Sequence, residues 1–244
     1  MRRYFLPFIA NQSINQILFI VLFLETAAMT WAIYGAIEAG HSAKAYFEEG
    51  GYMSILSCLQ LLLGAFLTRK IFLLAKASAN GILNQNSFFF RNVSYGLSFL
   101  TFDDAFQIHE YTDKLLHFIF NILFGFQETK ISDLIDDVIV GGYLLVLLIY
   151  ALKNRQNLAI FKRSFIYFAI GAILTILMIV FDAASNNNLL VSLFTDNIEQ
   201  RKSLITWFGT LEDILKIYAG GLLIVGIYQC WRIAKSLTGT TPKN

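Results

Sequence analysis

An all-α fold, built as a polytopic transmembrane helix bundle, is what this sequence predicts, and three observations predict it. Of its 244 residues 56% are hydrophobic, and the mean hydropathy is +0.57, too apolar for an ordinary soluble domain. The apolar residues gather into six segments, about 14–37, 52–75, 87–107, 133–152, 163–182 and 204–229. Each is close to the roughly 20 residues that cross a hydrocarbon core of about 30 Å. Threaded alternately, these segments send the flanking charges to opposite sides. Arg69, Lys70, Lys76, Lys153, Arg155, Lys162, Arg163, Arg232 and Lys235 share one face, while Glu38, Glu48, Glu49, Glu128, Asp196 and Glu199 share the other. The bias of flanking bases assigns the first face, with both termini, to the cytoplasm.

The elements follow in order. The run after Arg2-Arg3 continues to about Ile37, too long for a cleavable signal core, and contains Glu25, so it is expected to stay as the first span. The second span carries Cys58 in its outer part and Gln60. The third ends at Phe102-Asp103-Asp104-Ala105. The connection after it, about 110–126, is rich in Leu, Ile and Phe, which predicts an interfacial or partial seventh helix. The fourth opens after Ser132, an N-cap residue, and acids at 133, 136 and 137 suit a helix's first turns. The fifth ends at Asp182, and the sixth carries Glu212, Asp213, Lys216 and Gly220-Gly221. Neither Pro7 nor Pro242 interrupts a span, and the Gly141-Gly142 and Gly220-Gly221 pairs are expected to let helices approach closely. Cys58 and Cys230 lie at opposite depths, which argues against a disulfide, and both read as small buried apolar residues. The chain is a single integral membrane domain.

Chemistry is expected where acids meet apolar helix. In an unbroken helix Asp103, Gln107 and Glu110 share one arc, with His109 on its flank and Asp104 on the other side. The third and fifth spans run outward, so Asp103, Asp104 and Asp182 stand at helix C-termini, where the dipole disfavours negative charge by up to roughly 1 kcal/mol. Such acids need cations, protons or hydrogen-bond donors beside them. Lys216, at i+4 from Glu212 and i+3 from Asp213, is spaced for an ion pair within its own helix. Glu25 lies near the middle of the first span, where an isolated charge costs at least about 2.5 kcal/mol. It is either protonated or paired inside the bundle, with Lys216 or Gln60 as the named partners.

The segment Thr101-Phe102-Asp103-Asp104 with His109-Glu110 resembles a family of unannotated bacterial multispanning membrane proteins, whose third span ends in Asp-[Asp/Glu], four residues, His-Glu. A later span in that family is similar to Glu-Glu-x-x-Glu-x-x-Gly, matched here by Glu212, Asp213, Lys216 and Ala219. Asp182 corresponds to an acid ending the span before it. Lys216 replaces an acid of that pattern and Ala219 a glycine, with Gly220 one place later. The resemblance implies a shared site without naming an activity.

Three functions stay open. The first is a divalent-metal site (Zn, Mn or Fe), with a metal-dependent membrane hydrolase as its enzymatic form and Asp103, Asp104, His109, Glu110, Asp182, Glu212 and Asp213 as ligands. The three-His sites of ceramidase-like hydrolases are a poor match, because this chain has only His41, His109 and His117. The second is a proton- or cation-coupled transporter or channel, with Glu25 and Lys216 as ion-path or internally paired groups. The third is a non-catalytic assembly or sensing subunit. No other cofactor is implied, and there is no GxSxG or P-loop pattern. The expected partners are the lipid bilayer, a second copy of the chain or a membrane partner subunit, and no nucleic acid. The expected location is the bacterial inner membrane.

Overall fold

The computed structural model describes residues 13–39, 51–78, 81–108, 111–112, 115, 118–119, 122, 132–186 and 197–239, with backbone alone at 132–140, 144, 186 and 239. Among the described residues 95% are helical and none lies in a strand. The helices are α1 (Ile14–Glu38), α2 (Tyr52–Ala77), α3 (Gly81–Gln85), α4 (Ser87–Phe106), α5 (Ser132–Lys153), α6 (Arg155–Leu158), α7 (Phe165–Asn186) and α8 (Ile198–Gly239), with a 3-10 turn, Ala159–Ser164, between α6 and α7. Among the described residues four helical runs are long and apolar enough to cross a membrane: α1, α2, Arg155–Ser185 and α8. α4 carries three charged residues, Arg91, Asp103 and Asp104, and α5 carries Asp133, Asp136 and Asp137 in its first turns.

Local chemistry fixes several ends. α1 begins in a capping box: Gln16 N donates to Ser13 Oγ at 3.2 Å, and Ser13 N donates to Gln16 Oε1 at 2.8 Å. α8 begins at Asn197, whose Oδ1 accepts from Glu199 N at 2.9 Å. With 42 residues and no proline, α8 extends about 63 Å, about twice the thickness of a bilayer core, and so exceeds the expected 204–229.

α4 ends at Phe106, at the expected limit of the third span, because Gln107 takes a left-handed conformation (φ 53°, ψ 41°) and its N–H closes the helix on Asp103 O. It is the one non-glycine with positive φ among the described residues, and L-residues there cost roughly 1 kcal/mol. Helix resumes beyond it, with Tyr111 N donating to Gln107 O at 3.1 Å. The described apolar residues beyond the break, Ile108, Tyr111, Leu115, Phe118, Ile119 and Ile122, are exposed.

α8 is the axis of the bundle: α7 and α2 pack along it, α1 lies against another of its faces, and α4 packs on α2. α5 stands outside, joined to α4 by Asn92 Nδ2, which donates to Tyr150 OH at 2.8 Å, and by the stacked rings of Phe89 and Tyr150. The burial pattern is that of a protein solvated by lipid. Large apolar side chains such as Phe19, Phe23, Trp31, Leu62 and Ile173 are exposed. The middle of the inward face of α2 is instead Ser57, Gln60, Gly64, Ala65 and Thr68, small and polar groups that let neighbouring helices approach, with Met53 and Ile71 toward its ends. The largest core cluster, with Leu97, Phe90, Phe161, Ile71 and Ile227, fills the half of the bundle toward the basic end.

Candidate functional site

Two polar layers lie between α1, α2, α4 and α8. Their levels on α8 are Lys216 and Gly220, four residues or about 6 Å apart.

In the outer layer Lys216 Nζ donates to Asp104 Oδ1 at 2.6 Å, joining α8 to α4. Cys58 Sγ on α2 donates to Asp104 Oδ2 at 3.3 Å. Asp104 is the acid that the helix dipole of α4 disfavours, and these two groups supply the compensation it needs. The side chain of Asp104 is 10% exposed and that of Lys216 33%, so water screens the pair only in part. Lys216→Ala is therefore expected to destabilise the protein by about 1–3 kcal/mol in detergent, since it leaves a half-stranded carboxylate. Adding Asp104→Asn should recover most of that loss, and a double-mutant cycle of chemical denaturation measures the coupling.

In the inner layer Glu25 is 4% exposed near the centre of α1. Its Oε1 accepts from Gln60 Nε2 at 2.7 Å, and the same amide nitrogen donates to Ile217 O at 3.2 Å. Both N–H bonds of Gln60 are thereby used. Glu25 Oε2 is buried with no hydrogen-bond partner among the described residues. The wall opposite is Gly220-Gly221. A Cβ at Gly221 would collide with the Glu25 carboxyl, and one at Gly220 with the Gln60 amide oxygen. The glycine pair thus makes room for two polar side chains rather than for a helix backbone, and α8 runs through it unbroken. Beside this layer Thr26 Oγ1 donates to Leu22 O at 2.7 Å, so in its 2.8 Å contact with Tyr218 the tyrosine hydroxyl is the donor, tying α1 to α8.

The residues expected from sequence are distributed as follows. Asp104, Lys216, Glu25 and Gln60 take part in the two layers. Asp103 is buried on α4, and Asp182, Glu212 and Asp213 are half-buried on α7 and α8. His109 and Glu110 lie outside the described residues. Among the described residues no three His, Cys, Asp or Glu side chains are grouped so as to hold a metal ion, and Asp104 is engaged by a lysine. Lys216 reaches across from α8 to Asp104 on α4. Cys58, which reads from sequence as merely apolar, is a hydrogen-bond donor to that carboxylate, a role sequence reasoning missed. Its only signal is its position two residues before Gln60 on the same helix.

Residues 16–231 match a family described as "Domain of unknown function (DUF8692)". The curated proteins and the solved structures contain no match.

Proposed function

We propose that this chain, which belongs to the DUF8692 family, is a six-span protein of the bacterial inner membrane, with both termini cytoplasmic, that couples proton binding at Glu25 to transport. In this reading α4 and α5 complete the crossings, and the acid-rich end faces outward. The observation that carries it is the Glu25 carboxyl: mid-helix, almost wholly buried, held through one oxygen by Gln60, with the other oxygen without a partner among the described residues. Away from water a carboxyl in that setting is tolerable when neutral, or when a cation has come to it. A buried carboxyl with one oxygen held and the other open to a proton or a cation is a natural coupling site.

The two layers give the site a direction. The Asp104–Lys216 pair stands one turn toward the acidic end and can release or shield the entry. An outward acidic surface raises the local proton and cation concentration. On the other side no Asp or Glu in the sequence lies deeper than Glu25 under this threading, and the apolar cluster around Leu97, Ile227 and Phe161 closes the way. A blind site opening to one side fits alternating access, with the proton itself carried down its gradient, better than a continuous channel.

Reconstituted protein in vesicles loaded with a pH-sensitive dye tests this. Under an imposed inside-negative potential, protein-containing vesicles should acidify faster than empty ones. Equal rates would overturn the proposal.

A further inference from the structure

The surface of α8 at its basic end carries a feature that the coupling site does not use. A groove of about 280 Å³ is lined by Trp231, Arg232, Lys235 and Ser236. We infer that it is a binding site for the headgroup of an anionic phospholipid. The inference does not rest on the role assigned to Glu25.

Four observations support it. The groove lies at the apolar boundary: Trp231 packs on Tyr228 with ring centroids 5.6 Å apart, beside Ile14 and Leu18, and α1 begins there at its Ser13 cap. An indole at that depth is where membrane proteins place interfacial aromatics. Lys235 is folded back over the Trp231 ring, 5.3 Å from its centroid, which holds its ammonium at the groove. Arg232 is one turn from Ser236 on the same helix and supplies a planar donor fork suited to phosphate oxygens. The helices that bear this charge are also poor in acids: α8 has none from Ile214 to Gly239, and α2 has none at all. α2 adds two bases near its own basic end, Arg69 over Phe72 and Lys70 over Phe66, and its Leu67 packs into the cluster that holds Trp231.

A phosphate with its acyl chains lying along the exposed apolar helices satisfies both halves of this surface. A soluble phosphate would use only the bases. Basic pockets on helix ends facing the cytoplasm recognise anionic headgroups by this chemistry.

Native mass spectrometry of the full chain, titrated with phosphatidylglycerol or with phosphatidylcholine, reads the site directly. One saturable phosphatidylglycerol is expected, with phosphatidylcholine binding weakly and without saturation. In Arg232→Ala/Lys235→Ala binding should weaken roughly 30-fold, taking about a tenfold change in affinity for somewhat more than each base's share of surface attraction. Lys153→Ala/Lys162→Ala removes the same charge elsewhere and should bind as wild type, and Lys235→Arg should retain most of the affinity. Equal loss in both double variants would reduce the site to general surface charge and overturn the inference. So would unchanged binding in Arg232→Ala/Lys235→Ala, or displacement of the lipid by inorganic phosphate at comparable concentration, which would make the ligand a soluble anion.

Discussion

Vesicles carrying Glu25→Gln protein are expected to take up protons no faster than protein-free vesicles, while the variant remains folded. The substitution keeps shape and one acceptor: the carbonyl oxygen of the introduced amide can still receive the Gln60 Nε2 hydrogen bond made at 2.7 Å in the wild type. It removes the one thing a proton carrier needs, a group that gains and loses a proton. Stability should stay within about 1 kcal/mol of wild type, because an amide replaces a carboxyl whose second oxygen has no partner among the described residues. Gln60→Leu acts in the opposite way. It leaves the carboxyl in place and takes away the amide that donates to it, which should cost about 1–3 kcal/mol. Wild-type uptake in Glu25→Gln vesicles would sink the coupling role, and a collapse of the variant's helical signal on solubilisation would show that Glu25 is structural. The pair of variants separates a proton site from a packing site.

The bundle is largely legible in the sequence because long apolar runs leave the backbone little choice in lipid. α1, α2 and α7 start and stop near the limits that hydropathy sets, whereas α8 runs 42 residues because its flanks, polar but rich in helix formers, contain nothing to end it before Gly239. The end of the third span near 107 is legible, but the left-handed turn that makes it is not. A left-handed residue announces itself when it is glycine or asparagine, and glutamine there carries no local mark. Pairings between helices are legible only where the cost of burial demands one. Glu25 is expensive at mid-span, so a search for partners is forced, and Gln60 stands among the two named. Nothing in one sequence signals that Lys216 reaches Asp104, 112 residues away. The metal reading rests on many carboxylates sharing one end of the molecule. Sharing an end is weaker than converging on a point, and the described side chains do not form such a set.

Gly221→Ala is expected to destabilise the protein by about 1–3 kcal/mol and to impair proton uptake, and the stability loss should shrink when Glu25 is also made Ala. The new methyl would overlap the Glu25 carboxyl, which is enclosed among α1, α2 and α8 and has little room to swing aside. In a Glu25→Ala background that carboxyl is gone, and the methyl enters space the deletion has opened, so the second substitution should cost less than about 1 kcal/mol. Thermal or chemical denaturation of the four proteins in detergent gives the coupling energy. The cycle discriminates between two roles for a glycine pair in a membrane helix. If Gly221 serves close approach of helix backbones, or acts as a hinge, its substitution should cost the same whatever stands at position 25. Gly226 provides the contrast on the same helix. A Cβ there would press on the Phe168 ring of α7, so Gly226→Ala should lose stability regardless of Glu25. Additivity at Gly226 together with strong coupling at Gly221 would tie the glycine to the carboxyl it accommodates. Additivity at both positions would reduce the pair to ordinary helix packing and remove the structural support for a purpose-built site around Glu25.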